Sequence, residues 1–275
     1  MYRAVFLDLD DTLLDSEKNV SKENKDAIEY VKQKGGYVFI ASGRSIEATK
    51  KFREMANANN YIIYSNGAGI FDCDANEKLF SADIEKDICL NLYNYSIENN
   101  IGIRIDTPYG RYVNGDKYVL NLDIKLNEGE GIDIINDNDV LQVSLVAETE
   151  NEISQAIEYV KKNISSAIKI ENICKTGIED RFFLVNFVNT NVSKGNAING
   201  LCKYLKINLE NVIAIGDGLN DISMIKMAGL GVAMENARQE VKDVADKITS
   251  TNLENGVAKI LNENFWINKE RWIEK

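Results

Sequence analysis

Three carboxylates stand within four residues near the start of the chain, in "RAVFLDLDDTLL", where Asp8, Asp10 and Asp11 close an apolar run. Two positions apart on an extended backbone, Asp8 and Asp10 share one face. Carboxylates held close together repel unless one carries a proton or a cation lies between them. Taken alone, the stretch is explained equally well by a solvated acidic turn or a helix cap. A second acidic turn, "VIAIGDGLNDISMI", weighs against that simpler account. There a buried run ends in Asp217, Asp221 follows four residues on, and Gly216 and Gly218 allow backbone to come close to a ligand. Asp221 falls in the first turn of a helix, where capping is its alternative role. Two such turns at strand ends of one parallel sheet point to a hard-cation site, and all-oxygen ligation suits Mg²⁺ better than zinc.

Other strand ends complement these carboxylates. "IASGRS" puts Ser42, Gly43 and Arg44 at the mouth of a strand, with a hydroxyl and backbone N–H groups available to an anion. "VSKGNAI" puts Lys194 just before a helix start, and Asn66 closes another strand. None of these loops is a Walker A sequence or a complete dinucleotide fingerprint. A carboxylate nucleophile, a metal and a phosphate-sized ring of donors together suggest phosphoryl transfer through an aspartyl-phosphate. The chain has no histidine, which removes Ser-His-Asp and Cys-His catalysis and imidazole zinc sites. Asp72, Asp74 and Asn76 begin like a calcium loop. However, Glu77 stands where that loop needs glycine and Asp83 where it needs a bidentate Glu, so a hairpin turn is the better reading.

The elements that must position these groups follow from periodicity. "RAVFLDL", "YVFIAS" and "YIIYSN" have strand length and composition. "SKENKDAIEYVKQKG", capped by Ser21, and "IEATKKFREMAN" have helical spacing. Strands alternating with helices imply a mostly parallel sheet covered on both faces, with ligands bound at the carboxyl ends of the strands. From about 84 to 185 the order changes to helix, two strands, an acidic loop (127–139), strand, long helix and two strands, an α+β insert. The α/β rhythm then resumes. The expected division is residues 1–83 with 186–275 as the α/β core, and 84–185 as the inserted domain.

Composition bounds the partners. Of 275 residues, 44% are hydrophobic and 27% charged, which is ordinary for a globular protein. The net charge of −11 opposes nucleic acid and anionic membranes as partners. No apolar run is long enough to span a bilayer, and no signal-peptide pattern precedes the first strand. A cytoplasmic location is expected, with Cys73, Cys89, Cys174 and Cys202 as reduced packing residues. Oligomeric state leaves no trace in the sequence.

The four motifs, in order, resemble those of the haloacid dehalogenase (HAD) superfamily of phosphohydrolases, specifically its Cof-type, subclass IIB members. "DLDDTL", "ASGR", "SKG" and "GDGLND" resemble its first to fourth motifs, and "SNGA" and the tail "MIKMAGLGVAMENARQEVKDVADKIT" resemble stretches typical of the subgroup. The resemblance spans nearly the whole chain and implies a Rossmann-like core with residues 84–185 as a cap. It implies that Asp8 is the nucleophile and a metal ligand. Asp10 would be the general acid and then the base, its carbonyl binding the metal, and Asp217 the remaining Mg²⁺ ligand. The backbone N–H of Leu9, with Ser42, Gly43, Lys194 and Asn220, would hold the phosphoryl oxygens. Thr12, Asn66 and Asp221 would support the site, and Arg44 would either reach substrate or brace its loop. Asp11 reads as a turn residue. Asn186 stands where relatives often carry an acidic residue, which bears on substrate preference. Tyr109, Arg111 and Arg181 are candidates in the cap loops, with solvated surface the expectation for each.

The expected activity is Mg²⁺-dependent hydrolysis of small phosphorylated metabolites, either sugar phosphates or a phosphorylated cofactor such as pyridoxal phosphate. Two alternatives stand beside it. A phosphomutase would return the phosphoryl group to substrate, and a phosphometabolite-binding regulator would have lost catalysis.

Overall fold

In a computed structural model, which describes residues 1–119, 123–127, 129–164, 166–176 and 181–265, the chain forms two compact units. One comprises Met1–Phe80 with Val192–Lys275, and the other is Ser81–Asn191. The second unit is therefore wider at both ends than the 84–185 read from the sequence.

The first unit is built on an eight-stranded sheet. Its opening half supplies β1 (Ala4–Leu7), α1 (Lys22–Gln33), β2 (Tyr37–Ala41), α2 (Ile46–Met55), β3 (Tyr61–Tyr64), β4 (Gly69–Asp72) and β5 (Glu77–Ser81). Its closing half supplies α6 (Lys194–Leu205), β12 (Val212–Gly216), α7 (Ile222–Met227), β13 (Leu230–Ala233), α8 (Gln239–Lys242), β14 (Lys247–Ile248) and α9 (Gly256–Phe265). The strand order is β14-β13-β12-β1-β2-β3-β4-β5. Pairing is parallel from β14 through β3, and β4 runs antiparallel to β3. Every residue of β1 and of β12 is buried, as a strand covered on both faces requires. β1 lies between β2, next but one in the chain, and β12, which arrives about two hundred residues later. This reversal of strand order opens a crevice at the carboxyl ends of β1 and β12, the position at which doubly wound sheets bind ligands.

The inserted unit contains α3 (Lys86–Glu98), β6 (Gly102–Thr107), β7 (Gly110–Asn114), β8 (Ile124–Lys125), α4 (Glu130–Asp137), β9 (Gln142–Ala147), α5 (Glu150–Asn163), β10 (Ile168–Thr176) and β11 (Phe182–Asn189). Its sheet runs β10-β11-β9-β6-β7-β8. Ile103, Ile105, Val143, Leu145, Val185 and Phe187 from one face join Leu92, Ile153 and Ala156 of the helices in a core of its own. Its first and last segments meet where the Asn189 side-chain amide donates to the Asp83 carbonyl, at 2.8 Å.

Three elements differ from the sequence reading. The acidic stretch expected as a loop contains α4. Its Ile135 is fully buried, and Gly131 lies so close to the Tyr93 ring that a Cβ would meet it at 2.2 Å. The strand that the sequence predicts over 167–171 runs on as β10 to Thr176, pairing along β11 through an irregularity at residues 170–172. The stretch "ARQEVKDVA" predicts a helix over 237–245, which shortens to α8 and is followed by β14. The hairpin turn at 73–76 is present, and Asp72 spends its carboxylate on the backbone N–H groups of Asp74 and Ala75. Among the described residues, no helix is long and apolar enough to cross a membrane.

Candidate active site

β1 ends by handing the Asp8 N–H to the Ile215 carbonyl of β12, at 3.0 Å. The chain then makes one wide turn over Leu9–Leu13, closed by the Leu14 N–H on the Leu9 carbonyl at 2.9 Å. The turn is not helical inside: Asp10 is extended (φ −72°, ψ 130°) and Asp11 is left-handed (φ 56°, ψ 11°). Buried Leu9, Leu13 and Leu14 pin it, and Asp11 occupies the left-handed region (φ 56°) with its carbonyl bonded to the Asn236 amide. Asp11 is thus a residue of the turn.

The remaining strand ends converge on the same place. The Ser42 N–H donates to the Ile63 carbonyl, and the Ser42 carbonyl accepts from the Asn66 N–H. The Ser42 hydroxyl oxygen accepts the Arg44 N–H at 3.2 Å, which leaves its proton to donate. Gly43 packs on Asn66, whose Oδ1 would lie 2.7 Å from a Cβ there. That Oδ1 also accepts the Asn220 side-chain amide at 2.9 Å, joining the loop after β3 to the fourth motif. Gly67 (φ 94°) passes so close to the Ser193 carbonyl that a Cβ would meet it at 2.2 Å. Ser193 caps α6, so Lys194 is the first residue of that helix rather than the residue before it.

Lys194 is completely buried. Its ammonium donates to Asp8 Oδ1 at 2.5 Å and to Asp221 Oδ1 at 2.6 Å. Asp221, also fully buried, uses its other oxygen to accept the N–H groups of Asp217 (3.0 Å) and Gly218 (2.9 Å), which shapes the fourth loop. Asp217 accepts the Thr12 hydroxyl at 3.0 Å, tying the fourth loop to the first.

Asp8, Asp217 and Asp221 present carboxylate oxygens within 4.8 Å of one another. Burial pushes Asp8 up to about 7 against the pull of Lys194, and Asp221 and Asp217 push the same way. Burial likewise pushes Asp217 up to about 6, with the Thr12 hydrogen bond opposing. Lys194 stays charged because the attraction of Asp8 and Asp221 outweighs its desolvation. Three carboxylates around one ammonium leave two negative charges unbalanced when all are ionised. An all-oxygen set with that deficit fits a hard divalent cation.

Asp10 stands differently. Arg44 forks it, Nε to Oδ2 at 2.7 Å and Nη2 to Oδ1 at 2.6 Å, and Lys18 adds a bond to Oδ1 at 2.8 Å. The Arg44 bonds, aided by Lys18 and opposed by partial burial, hold its carboxyl down at about 2. Without substrate, Asp10 is therefore an ionised carboxylate, the opposite of what a proton donor needs. The Arg44 guanidinium lies 4.6 Å from the centre of the Phe52 ring, which braces its stem. Sequence reasoning missed Lys18 and Asn236, because Lys18 lies outside every quoted stretch, Asn236 is one residue of a long tail with no role attached to it, and only the folded loops bring them to Asp10 and Asp11.

In the inserted unit, Arg111 is taken up by Asp106 at 2.6 Å, Arg181 lies over the Phe182 ring, and Tyr109 is exposed. Asn186 accepts the Ser144 hydroxyl at 2.6 Å.

Comparison with known proteins identifies the family. A family model described as haloacid dehalogenase-like hydrolase matches residues 5–261, and the chain belongs to that family. Within it, the protein is a Cof-type phosphohydrolase, a phosphoric monoester hydrolase. The 5-amino-6-(5-phospho-D-ribitylamino)uracil phosphatase YcsE of Bacillus subtilis is 34% identical over 262 residues, covering 94% of each chain. Phosphatase YwpJ of the same organism is 31% identical, covering 94% of this chain and 98% of its own. A haloacid dehalogenase-like hydrolase structure from Bacteroides thetaiotaomicron superposes with a TM-score of 0.77 at 25% identity, over 96% of this chain and all of that one.

Proposed function

We propose that the protein is a Mg²⁺-dependent phosphatase working through an aspartyl-phosphate on Asp8. The observation that carries this reading is the Lys194 ammonium, buried between Asp8 and Asp221 beside Asp217. Mg²⁺ held by Asp8, the Asp10 carbonyl and Asp217 would offset the repulsion between an anionic nucleophile and an anionic ester. Lys194, the Leu9 N–H, Ser42, Gly43 and Asn220 would hold the phosphoryl oxygens, a preorganised set that costs little reorganisation during reaction. An Asp8 oxygen bonds to phosphorus as the ester P–O bond breaks. The electron pair left on the departing oxygen takes a proton from Asp10. Asp10, now a carboxylate, accepts a proton from the water that attacks phosphorus, releasing phosphate and restoring Asp8. In the first step the charge of the bound phosphoryl group raises the proton affinity of Asp10 and competes for Arg44, reversing the preference of the free form. Thr12, Asn66 and Asp221 support these groups.

The substrate is a small phosphomonoester. The name of the Bacillus subtilis relative puts 5-amino-6-(5-phospho-D-ribitylamino)uracil at the head of a test panel, followed by sugar phosphates and pyridoxal phosphate. Phosphate release across that panel tests the reading, with an isomer assay to detect a mutase. Asp8→Asn should abolish both turnover and the hydroxylamine-sensitive phosphoenzyme, and substantial residual turnover would refute the nucleophile assignment.

A further inference from the structure

Lys18 reaches Asp10 from a segment that carries none of the motif residues. Leu14 and Val20 pair as an antiparallel bridge, and the Asp15 N–H donates to the Asn19 carbonyl at 3.0 Å. The Lys18 N–H donates to the Asp15 carbonyl at 3.1 Å, closing a tight hairpin turn with Lys18 in the left-handed region (φ 63°). The Asp15 side chain locks that turn by accepting the N–H groups of Glu17 and Asn19. Hairpin turns of this shape place Gly or Asn at the left-handed position, because an ordinary side chain is strained there. Here the position holds a lysine, and its half-exposed chain runs back to Asp10 Oδ1.

The Asp10 carboxylate is thus held from two separate loops. Arg44 bonds both oxygens, and Lys18 bonds one. The two cations differ in what else they can meet. Arg44 feels the Asp8 carboxylate as well as Asp10, so a phosphoryl group arriving at Asp8 competes for it. Lys18 forms its ion pair, among the described residues, with Asp10. We propose that Lys18 is a positioning residue for Asp10, keeping its carboxyl in place while Arg44 shares its guanidinium with the incoming phosphoryl group. The proposal rests on the reading of Asp10 as the group that serves the departing oxygen.

The test uses kcat/KM, which reports only the steps up to leaving-group departure, on two aryl esters. The phenolate released from p-nitrophenyl phosphate is a weak base that departs with little help. That from phenyl phosphate is a stronger base and needs its proton. Lys18→Met frees the Asp10 carboxyl to move and also removes a cation that disfavours its protonation. A positioning role requires the first effect to win, lowering kcat/KM about tenfold for phenyl phosphate and about twofold for p-nitrophenyl phosphate, and a gain on phenyl phosphate would overturn it. Lys18→Arg should bring both values back to within about threefold of the parent. Asp10→Asn supplies the reference and should show the same bias towards phenyl phosphate at larger size, about 10²-fold or more. Equal losses on both esters, or none, in Lys18→Met overturn the positioning role if Asp10→Asn keeps its bias. Equal losses in Asp10→Asn itself overturn the assignment of Asp10, and the role of Lys18 falls with it.

Discussion

Asp221 and Asp10 are both acidic, yet the structure gives them opposite worth. Asp221 is fully buried, holds Lys194 and satisfies two loop N–H groups. Its removal strands those donors and leaves the ammonium with one partner, so Asp221→Ala should cost about 3 kcal/mol or more by urea denaturation. A loss below about 1 kcal/mol would show that the loop does not depend on it. Asp10, by contrast, is 40% exposed, and its ion pairs with Arg44 and Lys18 are screened by water. The thiols divide in the same way. Burial pushes Cys89 up to about 12 and Cys202 up to about 11, whereas Cys174 is exposed. Only the thiolate reacts, and burial disfavours it, so these two thiols gain reactivity only as pH climbs towards those values. At pH 8 a disulfide reagent should therefore label Cys174 first and reach Cys89 and Cys202 only after unfolding. Rapid native labelling of all four would contradict their burial.

At the scale of elements, the site is made by the loops leaving β1, β2, β3 and β12, together with the first turn of α6. Gly67 sets the spacing between the third of these loops and α6. Gly67→Ala adds a Cβ in contact with the Ser193 carbonyl at a positive φ, and should cost more than about 2 kcal/mol and displace Lys194. Gly35→Ala is the control, because its φ is also positive (77°) but nothing lies within 4 Å. It should cost about 1 kcal/mol and leave turnover intact. Equal urea midpoints for the two variants would remove the clash as the cause. These strand ends are legible in the sequence because a buried run that stops at a polar residue leaves the same signature wherever it occurs. Asp8, Ser42, Asn66 and Asp217 all carry it. Lys18 does not, since its contact with Asp10 depends on a turn whose left-handed residue is the wrong type to signal one. α4 was hidden for a related reason. Of its three isoleucines only Ile135 is fully buried, Ile134 is partly buried and Ile132 is exposed, and the Tyr93 ring that packs on Gly131 comes from another helix.

At the scale of the molecule, the two units keep separate cores, and every carboxylate of the acidic cluster belongs to the first. A ligand that binds only the native form of one unit stabilises that unit by mass action. Calorimetry with and without Mg²⁺ should show the ion raising the transition of the first unit, by about 2.7 kcal/mol at a hundredfold excess over its dissociation constant, and leaving the other in place. A shift of both together would mean that they unfold as one, and Asp217→Asn should weaken the effect. The register of Ala4–Leu7 against Val212–Ile215 has a consequence during synthesis. β1 and β2 leave the ribosome early, but the strand that completes them is not translated until the whole insert has been made. At about 5–20 residues per second the nascent sheet waits on the order of ten seconds with one flank of β1 open. An open flank of buried, β-prone residues invites pairing with another chain. Codon choice through the insert sets the length of that wait, so silent changes there should alter the soluble yield without altering a single residue.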